Sequence, residues 1–489
     1  MTEAQGGGKK GSSTSDHLLR LKDTTLHVKN KKKEAYIAFL DVTKAYDKAW
    51  IDAIMYIMHK EGTPLNMWNI IREMNNNLTA SIKTKHGNTR TIKIKDSIRQ
   101  GGILPVLQYA LMMDEINKEM IIKGTGPKMD NINEPIGCLL WMDDVALIAE
   151  SSQQLQEMLD ITHEIANRYH IEFGEEKSKL LKIGKPKQKP EIKLGTKTLM
   201  YTDKYKYLGE VINNKLNLQD HIKALKAKAE AAYQTILTIM GNNIFHNIEL
   251  EVAWKLLETC IQPIITYAGE TWKTTKTEMR TINQIQEQII KRILMVPQST
   301  PKEPLYTETG LLDITTIITK KRNKYKMKLE QKPLSMTTKI MKNNTKGGWK
   351  ETTDNTYTTT DYLMSFRDNI QETAREKTKT KYLMNNTTWE PGKRKQYMNK
   401  LNRRDASTIF RTRTRMLDIK ENFRGKYNQP SCRLCNDPLE TQEHILEECK
   451  TIHKDESTKI HIEEIFNEDT NSLRTTAERI RTIMQQLNV

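Results

Sequence analysis

The chain has 489 residues, enough for two or three domains with substantial cores. Lys and Arg total 78 against 61 Asp and Glu, a formal charge of +17 that favours a polyanionic partner, nucleic acid ahead of a membrane surface. Five cysteines in so long a chain do not make a disulfide framework, and no run reaches the ~20 apolar residues of a membrane span. The opening Met1-Thr-Glu-Ala-Gln-Gly-Gly-Gly8 lacks the layout of a secretory signal, so the expectation is an intracellular protein with no membrane partner.

Residues 1–34 are rich in Gly, Ser and Lys before a short helical stretch around Leu18, Leu19 and Leu21. The apolar run Tyr36–Leu40 predicts a strand buried on both faces, which delivers Asp41 at its end. Lys44 to Asp47 then turn into helical sequence marked by Ile51, Ile54, Met55 and Met58. Further on, Arg99-Gln100-Gly101-Gly102 feeds a helix that starts near Pro105 and continues through Leu107, Ala110 and Leu111.

Two apolar runs flank an Asp-Asp pair in Gly137-Cys-Leu-Leu-Trp141-Met-Asp143-Asp144-Val-Ala-Leu-Ile-Ala149, predicting a β-hairpin with both carboxylates at its tip. Ser151 or Ser152 caps the next helix, whose apolar face is Leu155, Met158, Leu159, Ile165 and Ala166. Strand, helix and hairpin together indicate an α+β layer. A strand ending on Asp41 beside a tip carrying Asp143 and Asp144 suits two Mg²⁺ ions, because this hard cation takes a few carboxylate oxygens plus substrate phosphates. Two such ions roughly 4 Å apart clamp the attacking and leaving oxygens of phosphoryl transfer.

These stretches resemble the palm of reverse transcriptases of non-LTR (LINE-type) retrotransposons. Phe39-Leu-Asp41-Val-Thr-Lys-Ala-Tyr46-Asp47 resembles the first palm motif, Arg99-Gln-Gly-Gly-Ile-Leu104 the second, and Trp141-Met-Asp-Asp144 the aromatic-x-Asp-Asp box. Lys177-Ser178 is similar to the fourth motif, and Tyr205-Lys-Tyr207-Leu208-Gly209 to the primer grip. The resemblance implies an RNA-directed DNA polymerase that extends a DNA primer on an RNA template with dNTPs. It implies that Asp41, Asp143 and Asp144 hold the two Mg²⁺, and that Tyr46 is the steric gate under the incoming sugar. Gln100, Gly101 and Gly102 would line the nucleotide, Lys177 would sit near the pyrophosphate, and Tyr207, Leu208 and Gly209 would grip the primer.

Three departures accompany it. Leu104-Pro105-Val106 stands where the family has Leu-Ser-Pro, and Trp141 replaces the usual Tyr or Phe. Gln5 to His17 resembles the end of the fingers, so an N-terminally truncated member is expected, with 1–34 as a fingers remnant. The alternative reading is a catalytically inactive remnant that still binds nucleic acid.

Residues 35–212 are then the palm, and 213–330 a helical thumb with stripes such as Ile222, Leu225 and Ala229 or Ile282, Ile285 and Ile289. Lys223, Lys226, Lys228, Lys291 and Arg292 are candidates to line a duplex. Residues 331–395, dominated by Thr, Asn, Lys and Gly, predict a partly disordered linker. The basic region 396–489 carries Cys432, Cys435, His444 and Cys449 in the spacing C-x2-C-x8-H-x4-C, the ligand types of a structural Zn²⁺ site, with His453 as a substitute for His444. That module resembles the zinc knuckle of the same elements. Lys400, Arg403, Arg404, Arg411, Arg413 and Arg415 before it are expected to grip RNA or DNA. A nuclear location follows from the family's habit of priming at chromosomal DNA.

Overall fold

Tyr36–Asp41 (β1) is buried from Tyr36 through Leu40, as a continuous apolar run requires, and it is the centre of a five-stranded sheet. The computed structural model describes all residues except 77, 95–96, 100, 131, 175, 185–188, 240–249, 344–347, 350–358, 376–377, 424, 428 and 488–489. Beside β1 lie Cys138–Trp141 (β2), Asp144–Ala149 (β3), Lys179–Lys182 (β4) and Met200–Tyr201 (β5), in the order β5-β4-β1-β3-β2. β1 pairs antiparallel with both β3 and β4, and β2 with β3.

Side chains alternate across such a sheet, which gives its two faces different jobs. Tyr36, Ala38 and Leu40 join Leu140, Val145 and Leu147 in a core against Ile51–Lys60 (α2), Ile103–Lys123 (α4) and Ser152–Arg168 (α5). On the opposite face Phe39 stacks on Tyr205 at 4.3 Å, the second residue of Lys204–Tyr207 (β6), which is hairpinned to Glu210–Asn213 (β7). The helix Thr14–Asn30 (α1) packs on β3. Its start is closed by a reciprocal cap between Ser13 and Asp16. Between α2 and α4 lie the helix Leu65–Asn75 (α3) and an exposed ribbon.

The chain forms two compact units. The first takes Met1–His221, Glu270–Lys273 and Lys324–Asn355; the second takes Ile222–Gly269, Thr274–Asn323 and Thr356–Val489. Among the described residues the second unit is helical. No helix among them is long and apolar enough to cross a membrane.

Two expectations need correction. The supposed linker carries the helices Met336–Asn343, Thr359–Arg375 and Thr378–Asn386, with Ile340, Phe366, Ile370, Leu383 and Trp389 buried. Apolar residues at helical spacing were masked there by the surrounding Thr and Asn. The arginines before the Cys/His motif do not form an open grip. Arg413 is fully buried, 3.2 Å from Glu308, and also donates to the carbonyls of Ile465 and Asn467. Arg403 donates to the carbonyls of Ile293 and Arg292, Arg411 to that of Met295, and Arg415 pairs with Glu421 and Glu443. Arg403, Arg411 and Arg413 satisfy carbonyls at or just past helix C-termini, while Arg413 and Arg415 also pair with carboxylates, a structural use of charge. Of the set only Lys400 and Arg404 are exposed. Arg292 is likewise engaged, with Glu230 at 2.6 Å, whereas Lys223, Lys226 and Lys228 are exposed.

Arg413→Ala should lower stability by about 3–5 kcal/mol, because it strands a buried Glu308 carboxylate. Urea unfolding monitored through the second unit would test this, and a change below 1 kcal/mol would refute it.

Candidate active site and Cys/His cluster

Strand register brings the first two carboxylates together. Asp41 pairs with Asp144 across β1 and β3, and Trp141 pairs with Asp144 across β2 and β3. The hairpin loop is therefore Met142-Asp143, not the Asp-Asp pair expected at its tip, and Asp144 is the first residue of β3. The apolar alternation explains the shift. Val145 and Leu147 must face the helix-packed core, so Asp144 belongs to the strand and points to the other face, with Asp41.

Adjacent carboxylates thus address different surroundings. Burial raises the pKa of Asp143, and the neighbouring Asp41 raises it further. Its charge bears on Tyr46 and Tyr109, whose rings stack at 5.3 Å and 19°. Asp144 is pushed up to about 6 by burial, then by Asp143 and Asp41, with Lys177 opposing. Its charge bears on Tyr205, which burial first and then Asp144 and Asp41 push up to about 12. Burial and the same Asp144 raise Tyr207 as well. The hydroxyls of Tyr109 and Tyr207 are both buried and have no hydrogen-bond partner among the described residues.

The Lys177-Ser178 pair turns toward Asp41. The Lys177 ammonium lies 3.3 Å from the Asp41 carboxylate while the side chain stays 73% exposed. Ser178 Oγ accepts the Asp41 amide at 3.3 Å. In the Tyr207-Leu208-Gly209-Glu210 turn, Leu208 and Gly209 have φ of 43° and 88°, as a two-residue hairpin loop with two positive φ demands. Glu210 is buried and accepts from the Lys22 ammonium at 3.0 Å. Gly101 has φ 86° and Gly102 caps α4, where a Cβ would meet Pro105 Cδ at 2.9 Å. Gln100 lies outside the described residues.

One contributor was missed at the residue level. Gln5 is fully buried, and its side-chain oxygen accepts the amides of Gly7 at 2.8 Å and Met142 at 3.3 Å. Gly6 donates to the carbonyl of Leu140 and Leu140 to that of Ala4, so this segment runs alongside β2. A Cβ on Gly7 would sit 2.7 Å from the Met142 nitrogen. The segment braces a turn in which Met142 holds φ 57°. The signal was the Gln-Gly-Gly spacing, but nothing local connected it to residue 142.

In the second unit the donor atoms of Cys432, Cys435, His444 and Cys449 all lie within 4.8 Å of one another, close enough to share one metal ion. His453 is engaged elsewhere, its Nε2 3.0 Å from the carbonyl of Ile445, which selects His444 for the cluster. Burial and the neighbouring thiols push Cys449 up to about 11, despite two opposing backbone amides.

Residues 1–212 match the family model described as reverse transcriptase (RNA-dependent DNA polymerase). Residues 1–212 are a reverse transcriptase domain. The RNA-directed DNA polymerase from mobile element jockey of Drosophila funebris is 21% identical over 69% of this chain and 37% of its own length. The Pol polyprotein from type-1 retrotransposable element R2 of Nasonia vitripennis is 28% identical over 43% of this chain and 22% of its own length. The chain is homologous to these non-LTR reverse transcriptases and spans only about a third or less of the curated relatives it matches. Among solved structures, the telomerase from Candida albicans in complex with a telomeric RNA fragment covers 59% of this chain and 52% of its own, at 13% identity. Its TM-score of 0.36 is too low to add to the assignment.

The raised Asp144 carboxyl carries a stability consequence. A carboxyl whose folded pKa of about 6 exceeds its unfolded value takes up a proton on folding, so stability falls as pH rises toward and through 6. At pH 7.5 without divalent metal, Asp144→Asn should raise the melting temperature by a few degrees, and the gain should shrink as pH falls below 6. A gain that persists unchanged at pH 4 would contradict this account.

Proposed function

We propose that this chain is an RNA-directed DNA polymerase of a non-LTR retrotransposon, extending a DNA 3′-OH along an RNA template with dNTPs. The observation that carries the reading is the register setting Asp41 opposite Asp144 beside the Met142-Asp143 turn. Three carboxylates with burial and mutual repulsion raising two of their pKa values form a site that gains from divalent cations. Mg²⁺, when bound there, would neutralise charge building on the transferred phosphoryl group.

The chain's own residues supply alignment, the larger part of catalysis in phosphoryl transfer. Asp41, Asp143 and Asp144 hold the metal site. The 3′-oxygen of the primer attacks the α-phosphorus, its proton leaves to solvent or a basic oxygen, and the bond to pyrophosphate breaks. Lys177 is near enough to Asp41 to meet the departing pyrophosphate and to protonate it. Tyr46, backed by the Tyr109 ring, limits the space under the sugar and so selects dNTPs. Gln100 with Gly101 and Gly102 lines the nucleotide. The strained Leu208-Gly209 turn, anchored by Tyr207, presents the primer grip.

In the second unit a structural Zn²⁺ fits the donor set of three thiols and an imidazole. Its role in this reading is to fold a module that holds template and primer, with the exposed Lys223, Lys226 and Lys228 adding phosphate contacts. The proposed location is the nucleus, where such priming occurs.

Primer extension on an RNA template with Mg²⁺ and dNTPs should give product that Asp143→Ala reduces at least ~10³-fold. Failure of the wild-type chain to extend, with RNA binding retained, would sink the polymerase reading and favour the binding-only one. Separately, Cys435→Ala or a strong chelator should release one equivalent of zinc and unfold residues 432–449 locally. An unaltered circular dichroism and melting profile after chelation would remove the zinc assignment.

A further inference from the structure

Between α3 and the Gly101-Gly102 loop the chain leaves the palm as a long two-stranded ribbon. Thr79 and Ala80 pair with Lys93 and Ile92, and Lys83 and Thr84 with Asn88 and Gly87. Ile82 and Thr89 bond between the two ladders, at 2.9 Å in each direction. The ribbon reaches roughly 20 Å from its base to the Lys85-His86 tip. At the base, Ile94 donates to the carbonyl of Leu78, and Ile98 donates to the carbonyl of Tyr46, the residue proposed as the sugar gate.

Every residue from Thr79 to Lys93 is exposed, including Ile82 at 61% and Ile92 at 52%. An isolated two-stranded ribbon has little stability of its own, and among the described residues no side chain buries either face of this one. Its charge is equally one-sided. Lys83, Lys85, Arg90 and Lys93 lie on it, and no Asp or Glu occurs between Glu73 and Asp96. Elsewhere in the same unit surface lysines pair with carboxylates, as Lys48 does with Glu172, Lys118 with Glu61 and Lys123 with Glu164. None of the four ribbon cations is in an ion pair among the described residues.

We infer that this ribbon is a nucleic-acid arm that holds the phosphodiester backbone of the unpaired RNA template as it approaches the nucleotide site. Four unneutralised cations spread along an extended arm suit a chain of phosphates, and release of condensed counterions supplies the affinity. Just past the arm in sequence, Ile98 bonds to Tyr46, which faces the incoming nucleotide in the proposed mechanism, so the strand we assign to the arm is the uncopied template. The inference rests on the polymerase reading for that choice of strand.

The test is equilibrium binding by the full chain at several salt concentrations. Two ligands are used: a primer–template with a long RNA overhang, and a blunt RNA–DNA duplex. The variant combines Lys83→Gln, Lys85→Gln, Arg90→Gln and Lys93→Gln. All four side chains are exposed, so the melting temperature should not move, and the charge-reversed pair Lys83→Glu and Lys85→Glu serves as an independent variant.

The expected result is about a ten-fold or greater loss of affinity for the overhang ligand, with the log–log salt slope smaller by about three. The blunt duplex should be much less affected. An unchanged slope on the overhang ligand, or an equal loss on the blunt duplex, would overturn the inference. Binding that depends on the ribbon in a chain that does not extend primers would keep the arm and reject the polymerase. Extension with a ribbon that makes no difference to binding would do the reverse.

Discussion

The first unit is organised around a repulsion. Three carboxylates converge where β1 meets the β2–β3 hairpin, and burial makes the charges of Asp143 and Asp144 costlier than they would be in water. Such an arrangement persists only if the scaffold over-determines it. The central strand is hydrogen-bonded on both sides and packed on both faces, so Asp41 cannot retreat without breaking the register of the whole sheet. Lys177 supplies a nearby cation, and it does so from a solvent-exposed position, where screening limits the relief. The cluster is left short of positive charge, which is the electrostatic basis for the divalent-ion site proposed there.

The turn between Asp143 and Asp144 divides the labour of the two neighbours. Asp143 sits in the loop and acts on the Tyr46–Tyr109 stack, while Asp144 begins a strand and acts on Tyr205 and Tyr207. One peptide unit therefore links the side of the sheet proposed for the nucleotide with the side proposed for the primer. Two buried hydroxyls without partners among the described residues, on Tyr109 and Tyr207, lie on those two sides. Neither hydroxyl contributes to folding, since an unpaired buried donor costs stability.

Much of this was legible in the sequence, for identifiable reasons. The buried strand before Asp41, the hairpin, the capped helix after it and the Cys/His spacing all depend on local patterns, and local patterns survive in one dimension. The hairpin tip was misplaced by one residue because Asp is a good turn former. Only the cross-strand register decides that Met142 turns and Asp144 pairs. Basic residues were the least legible. Arg403, Arg411 and Arg413 read as a nucleic-acid grip, yet they answer carbonyls and a carboxylate contributed by helices far away in sequence. Charge composition counts cations without revealing which are already satisfied.

The brace at Gln5 shows what a turn of this kind demands. A methionine at φ 57° is disfavoured, and a neighbouring Asp143 under repulsion from Asp41 has reason to swing outward. Gln5 supplies the restraint by accepting the Met142 amide, and Gly6 and Gly7 allow the backbone to come close enough to deliver it. Two alanines would bring a Cβ within 2.2 Å of His17 and 2.7 Å of the Met142 nitrogen, so the glycines are required by contact distance and not by a left-handed conformation. Order in the segment before α1 is thereby tied to the geometry of a carboxylate some 140 residues later, where local hairpin propensity alone would leave the turn free to relax.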